Sequence, residues 1–427
     1  MNSGYYNSAF KRRTTRAEPL YDIAQHYFAE GKHSEVCFYA NIGRKIKYPR
    51  DDVLYIQDDL YSYKFYEQLS IAAYYAEKYR DKGIKYSDKL LFNVNAPGHV
   101  KENCLKNLFF YLENIKNVDY VSIDAKMPLL TSWSSERYKP CNASIIKTDK
   151  GYLVNCRAVN YVQLYPDYVV MDCTRSPKTK NVVIEYDKDL NQSFQTQIIE
   201  DPGLVKYQTA IQGLEDLRLF HFKDEIYFTA TTCQLNEWGI PKMCFGKFEK
   251  NELDNTIHIN KITLLQGPCF ERTEKNWMPL VVDEQLYLMY GYSPYIIYKA
   301  NCETGECSEF INKNLPFDFS RFSGSTPPIA FDDGYLLMVH EGIWLDRKYY
   351  IHRFLYLDKN LEIIKISTPF TFKHTGVEMC CGIVIDDVKD KLIMAIALED
   401  REAYLGLINL SHVRSLLKPL IKKTEYS

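Results

Sequence analysis

At 427 residues the chain exceeds one ordinary domain, and 46% hydrophobic with 25% charged residues is the balance of a folded protein with ample core. A formal net charge of -2 provides no basic field for a phosphate backbone, which argues against nucleic acid as a partner. The 35 tyrosines and 22 phenylalanines suit β-strands, and also clefts in which rings stack on pyranose faces while hydroxyls form hydrogen bonds.

Residues 1–17 read as a flexible segment: a basic run with no apolar stretch behind it, hence not a secretory signal. The longest apolar run, Leu392 to Leu398, is far too short to span a bilayer. Twelve cysteines occur without any C-x-x-C pair, mostly inside strand-like runs such as Val154-Asn155-Cys156. Buried thiols in a reducing, cytoplasmic setting fit this better than a disulfide framework, and no metal or cofactor is expected.

Residues 18–125 have helical periodicity. Apolar and small residues recur at three and four positions in Leu20-Tyr21-Ala24-Tyr27-Phe28 and again in Leu69-Ala72-Ala73-Ala76, with Pro49 and Pro97 near the ends of the units. This is the grammar of tetratricopeptide-like helix pairs, expected either to brace the next domain or to dock a protein partner. The stretch Arg16-Ala17-Glu18-Pro19-Leu20-Tyr21 resembles helical repeats attached to multidomain glycosyltransferases.

From residue 130 to 412 the period changes to that of strands, and a two-part unit recurs five times at intervals of roughly 50–75 residues. Each unit holds a turn followed by an aromatic-aliphatic strand, as in Asp224-Glu225-Ile226-Tyr227-Phe228 and Asp333-Gly334-Tyr335-Leu336-Leu337. A short polar cluster enters an apolar run just before each: Asn142-Ala143-Ser144, Glu215-Asp216-Leu217-Arg218, Glu274-Lys275-Asn276-Trp277, Gly324-Ser325-Thr326-Pro327 and Gly376-Val377-Glu378. The fold class predicted is mainly β: a five-bladed propeller behind an N-terminal α-helical domain, with residues 413–427 a tail open to helix. A β-sandwich is the alternative, but it leaves the constant phase of the polar clusters unexplained. Innermost strands line a propeller's channel, so the clusters should converge on one funnel mouth.

Asp216 is the best placed acid for glycosyl transfer, which needs a carboxyl near the glycosidic oxygen. Strand alternation would put Asp216 and Arg218 on one face and Glu215 on the other. Lys275, Arg321 and His340 would together form an anion clamp suited to phosphate. Arg157, Asn142, Arg218, Asn276, Trp277, Ser325, His374 and Glu378 are candidate sugar ligands, and Trp238 is a second stacking candidate beside Trp277. Each has a plainer reading: a blade-stapling ion pair for Arg218, a satisfied core histidine for His340, packing for the tryptophans.

Glu215-Asp216-Leu217-Arg218 resembles the E-D-P-R strand of the mannoside phosphorylases of glycoside hydrolase family 130. Gly324-Ser325-Thr326-Pro327-Pro328-Ile329, followed by Gly334-Tyr335-Leu336-Leu337-Met338-Val339-His340, is similar to that family's G-x-x-P-P-I and G-W-L-L-I-Y-H-G stretch. Asn142-Ala143-Ser144-Ile145 with Tyr152-Leu153-Val154-Asn155-Cys156-Arg157 is similar to its N-P-S/A and Y-x-L-x-Y-R opening. The likeness covers residues 140 to 410 and extends to the related β-1,2-mannosyltransferases. It implies an inverting single displacement in which Asp216 protonates the leaving oxygen, directly or through a sugar hydroxyl, while phosphate attacks from the opposite face. Lys275 and His340 then become phosphate-site residues and Arg157 a sugar or phosphate ligand. The sequence departs from the pattern at Leu217 in place of proline, at Glu274-Lys275-Asn276-Trp277, and at Glu341 in place of glycine, which would put a negative charge beside the phosphate. The function expected is transfer of mannose or a similar sugar to or from a phosphate-containing partner: inorganic phosphate, a sugar phosphate or a nucleotide sugar. A glycosidase of the same fold and a non-catalytic glycan-binding propeller are the alternatives.

Overall fold

A computed structural model describes residues 3–125, 138–164, 167–171, 176–251, 253, 255–269 and 271–420. The described residues divide into two compact units, one built on those within 3–113 and 315–319, the other on those within 114–314 and 320–420.

The first unit is helical. Helices Ser3–Arg12, Glu18–Ala29, His33–Gly43, Phe65–Tyr75, Gly83–Leu91 and Gly98–Leu108 each pack against the next in the chain. Their apolar positions meet in a core of Leu20, Ile23, Ala24, Val36, Ala40, Phe65, Leu69 and Ala72, the same three- and four-residue spacing visible in the sequence. Two details differ from the expectation. Residues 3–12 are helical rather than a flexible lead, and Pro97 stands at the start of a helix, where its missing N–H costs nothing, rather than closing a unit.

The second unit is a five-bladed propeller. Blade 1 runs Lys139–Thr148, Gly151–Val159, Thr179–Asp187 and Gln192–Glu200, extended by Thr256–Ile259 and Glu249–Asn251. Blade 2 runs Glu215–Phe222, Glu225–Thr232, Lys242–Lys247 and Ile262–Leu264, and blade 3 Met278–Val282, Gln285–Tyr292, Tyr295–Ala300 and Cys307–Lys313. Blade 4 has Ser323–Gly324 and Ile329–Phe331 sharing the innermost place, then Gly334–Trp344, Lys348–Leu357, Ile363–Ser367 and Leu417–Pro419. Blade 5 has Glu378–Asp386, Lys391–Leu398 and Glu402–Asn409. Its outermost strand is Val118–Ser122, paired with Glu402–Asn409 from the far end of the chain. This pairing covers an edge that would otherwise be left open. It also places 118–122 in the propeller rather than at the end of the helical domain, because pairing between positions as far apart as Val118 and Ile408 leaves no local signature. Beyond the last full strand the chain forms a helix, Leu410–Leu416.

The turns entering the second strands follow from local chemistry. Lys223 and Asp224, and likewise Asp283 and Glu284, take consecutive positive φ values, the backbone of a two-residue hairpin that matches strand twist. Between the blades, apolar faces interlock: Leu219, Phe228 and Cys244 of blade 2 join Leu153 and Val183 of blade 1, and Phe220, Phe245 and Trp277 join Leu286 and Leu288 of blade 3.

The inner strands are irregular where the polar clusters lie. In blades 1, 2 and 5 each carries a bulge, between Cys141 and Ser144, between Glu215 and Arg218, and between Cys380 and Gly382. In blade 4, Pro327 and Pro328 have no N–H to donate, and the inner ladder breaks between Gly324 and Ile329. Gly324 approaches blade 3 so closely that a Cβ would lie 2.6 Å from the Asn276 carbonyl oxygen and 2.6 Å from Met278 Cγ. Backbone cannot yield as a side chain can. Gly324→Ala is therefore expected to lower stability by about 1–3 kcal/mol in urea unfolding, and a midpoint equal to wild type would show that the two blades separate freely.

Candidate active site

The bulge in blade 2 turns Asp216 into the left-handed region, φ 53°, a conformation that aspartate and asparagine adopt more readily than most residues. Asn142 (φ 35°) and Asn276 (φ 62°) do the same at the clusters of blades 1 and 3. The three residues border a funnel cavity of about 680 Å³, together with Arg157, Glu215, Lys275, His340, Lys348, Tyr350 and Asp400.

Asp216 is densely bonded. Its Oδ1 accepts from Asn142 Nδ2 at 2.8 Å and from Arg157 Nη1 at 2.8 Å, while Arg218 Nη1 lies 3.9 Å from Oδ2. Burial by itself would raise its pKa, but the charges of Arg157 and Arg218 and the Asn142 bond outweigh it. The carboxyl is held well below the usual carboxylate range, so the unliganded site carries an ionised Asp216. Asn142 Oδ1 is buried and has no hydrogen-bond partner among the described residues.

Arg218 lies outside the cavity wall. Its fully buried guanidinium donates to the Asp216 carbonyl (2.9 Å), to the Ser325 carbonyl (3.3 Å) and to Asn276 Oδ1 (2.7 Å), and Asn276 Nδ2 donates on to Ser323 Oγ (3.0 Å). Arg218 therefore joins blades 2, 3 and 4. The bulge also cancels the simple alternation expected at this strand: Glu215 and Asp216 both face the cavity, and Arg218 turns behind it.

Positive charge in the cavity comes from Arg157, Lys275 and Lys348. Lys275 Nζ is 3.1 Å from Glu215 Oε2. Burial, and then repulsion from Lys275, lower the pKa of Lys348 while Asp400 opposes the shift, so the two ammonium groups share one neighbourhood. Asp400 is a third carboxyl in the wall. Burial raises its pKa, Arg157 opposes, and Asp216 and Glu215 raise it further, the reverse of the shift at Asp216.

The other expected ligands are distributed differently. His340 lines the cavity with Nδ1 at 2.8 Å from Ser325 Oγ, and burial followed by the charges of Arg218 and Lys348 lowers its pKa to about 3. It is a neutral imidazole, not an imidazolium. Ser325 is buried behind it and orients the ring. Arg321 does not reach the cavity wall and lies 3.9 Å from Glu341. Alternation along the strand turns Glu341 away from His340 toward Arg353 Nε at 3.1 Å, so its charge is neutralised inside the blade rather than set against an anion. Trp277 is core, packed on Tyr290 and Tyr298, and Trp238 is exposed away from the cavity. Glu378 is fully buried and accepts from the backbone N–H groups of Phe372, Lys373 and His374, which staples a turn; the His374 ring faces Glu399. Neither of these residues lines the funnel. Lys348, Tyr350 and Asp400 were missed because the first two lie on blade 4's third strand and the last past a strand end, outside the phased clusters. Among the described residues no group of three or more His, Cys, Asp or Glu side chains could hold a metal ion.

No protein-family model matches the chain, and no curated protein matches it in sequence. Among solved structures, it is similar to a β-1,2-mannobiose phosphorylase from Listeria innocua at 14% identity and a TM-score of 0.45, over 70% of this chain and 99% of that one. A mannose phosphorylase from Leishmania mexicana, in complex with phosphate ion, shares 10% identity over 72% of this chain and 92% of its own, with a TM-score of 0.43. A GDP-Man-dependent mannosyltransferase from the same organism shares 12% over 71% and 93%, with a TM-score of 0.44. The five-blade ring rests on the strand pairing itself, independently of these likenesses. No helix among the described residues is long and apolar enough to cross a membrane.

The His340 shift has a measurable consequence. Its folded pKa lies below the unfolded value of about 6.5, so between roughly pH 6.5 and 3 the unfolded chain binds a proton there that the folded chain does not. Stability should fall with pH across this window, by up to about 1.4 kcal/mol per unit from this group. His340→Asn should flatten that slope between pH 6.5 and 4 in urea unfolding, whatever its effect at neutral pH. An unchanged slope would mean that the imidazole protonates in place.

Proposed function

We propose that the propeller catalyses inverting glycosyl transfer, of mannose or a similar sugar, between an acceptor hydroxyl and a phosphate-containing group. The observation that carries this reading is an Asp216 carboxyl bonded by Asn142 and Arg157 in the same cavity as two lysines, Lys275 and Lys348. Such a pair of cations is relieved by an anion, and phosphate matches their donors. Asn142, whose side-chain N–H donates to Asp216, and Arg157 would hold the sugar on the Asp216 side.

In the direction of synthesis, the acceptor hydroxyl loses its proton to the Asp216 carboxylate and attacks the anomeric carbon. The bond to the phosphate oxygen breaks with its electron pair on that oxygen, which Lys275, Lys348 and a neutral, hydrogen-bonding His340 stabilise. In the reverse direction the same carboxyl returns the proton to the leaving oxygen. A resting carboxylate is prepared for the first direction, and an anion that neutralises Arg157 or Lys275 would raise the Asp216 pKa toward the second. The phosphate-bearing partner is inorganic phosphate, a sugar 1-phosphate or a nucleotide sugar. The eleven described cysteines are free thiols, which supports a reducing, cytoplasmic setting.

Asp216→Asn keeps the shape and the left-handed backbone but cannot accept a proton. It should cut turnover of sugar 1-phosphate or nucleotide-sugar donors by roughly 10²–10⁴-fold, with folding intact. Lys348→Ala should weaken phosphate binding, measured by calorimetry, by about ten-fold or more. Sugar release to water with no phosphate affinity in wild type would indicate a hydrolase, and saccharide binding without turnover of any donor a glycan-binding module.

A further inference from the structure

The cavity around Asp216 is polar and charged, and its lining also includes aromatic rings. A short hairpin, Tyr161–Leu164 with Asp167–Val170, leaves blade 1 between its second and third strands, and Tyr161, Gln163 and Tyr168 border the cavity. From blade 4, which does not neighbour blade 1 in the ring, the strand Gly334–Trp344 ends at the same cavity with Trp344. Trp344 is 63% exposed and Tyr168 50% exposed. Both rings therefore offer open faces at the lip of the pocket, and neither is needed to fill the core.

Their surroundings connect mouth to floor. Tyr168 lies 5.6 Å, centroid to centroid, from Tyr161, whose hydroxyl accepts from Arg157 Nη2 at 3.4 Å. Lys348 Nζ lies 5.6 Å from the Trp344 ring centroid and 4.7 Å from that of Tyr350. A pyranose has a C–H face that packs on an aromatic ring and a rim of hydroxyls that needs polar partners, and Gln163 and Lys348 stand beside these rings. A single sugar held at Asp216 uses the floor and leaves the aromatic lip unused. Tryptophan and tyrosine exposed on two sides of a cavity mouth are the residues expected where a ligand continues outward.

We propose that Tyr168 and Trp344 form an outer subsite for the distal units of an oligosaccharide acceptor, which makes chain length the property this enzyme selects. The proposal rests on the glycosyl-transfer reading and adds to it the substrate class. The rings do not touch the reacting atoms. They act on affinity for long acceptors and leave the chemical step alone.

The test uses the full chain with β-1,2-linked mannose oligomers of one, two and three units. Wild type should bind the trisaccharide more tightly than the monosaccharide in calorimetry, with the same ordering of KM. Trp344→Ala and Tyr168→Ala should each erase roughly 3–10-fold of that gain while leaving monosaccharide affinity, kcat and melting temperature unchanged, and Trp344→Phe should retain most of it. Saccharide binding without length dependence, or a trisaccharide affinity untouched by both alanine variants, would overturn this inference alone. Absence of any saccharide binding by wild type would remove the glycosyl-transfer reading beneath it.

Discussion

A guanidinium with no access to solvent needs acceptors on every side, and Arg218 finds them on three blades. Two of its bonds go to backbone carbonyls, those of Asp216 and Ser325, which can be presented only because both inner strands leave regular geometry there. Removing the charge would leave those carbonyls and the Asn276 amide oxygen buried without a donor, a loss costing several kcal/mol in comparable networks. The Asp216 and Asn276 side of the funnel depends on this bridge. It holds the Asp216 backbone, positions Asn276 at the mouth of blade 3, and keeps a positive charge behind the carboxylate.

The same arrangement explains the ionisation pattern. Asp216 is buried, yet two arginines and an asparagine amide favour its charged form; Asp400 shares the cavity but has no comparable set of donors, and its neighbours Asp216 and Glu215 are themselves acidic. Two carboxyls in one pocket are thus driven in opposite directions, a separation that catalytic sites use to keep an acid and a base apart. Arg157, Lys275 and Lys348 stand in the same wall against Glu215, Asp216 and Asp400.

The propeller was legible because its repeat is local. Each blade's inner hairpin is announced by a turn and an aromatic-aliphatic strand, and hairpin pairing needs no distant partner. The phase of the polar clusters also pointed to Asp216, Asn142, Asn276, Lys275 and His340, all of which border the funnel. It pointed equally to Ser325, Trp277, Arg321, His374 and Glu378, which do not. A residue beginning an inner strand lies near the funnel, but which way its side chain turns depends on bulges that a period-two reading cannot register. Glu341 shows the converse: ominous in the sequence, it is neutralised by Arg353 on the far side of its strand.

The sequence by itself therefore determined the blade number, the hairpin turns, the helical periodicity of the first unit and the neighbourhood of the site, since these follow from spacing and local backbone preference. Tertiary structure alone decided that Val118–Ser122 completes blade 5, that Arg218 is a bridge rather than a ligand, that two arginines and an asparagine surround the Asp216 carboxyl, and that Lys348, Asp400, Tyr168 and Trp344 reach the same cavity. The physical reason is the same in each case. Charge, burial and ring closure are set by atoms far apart in the chain, and a linear pattern carries no record of the distance between them.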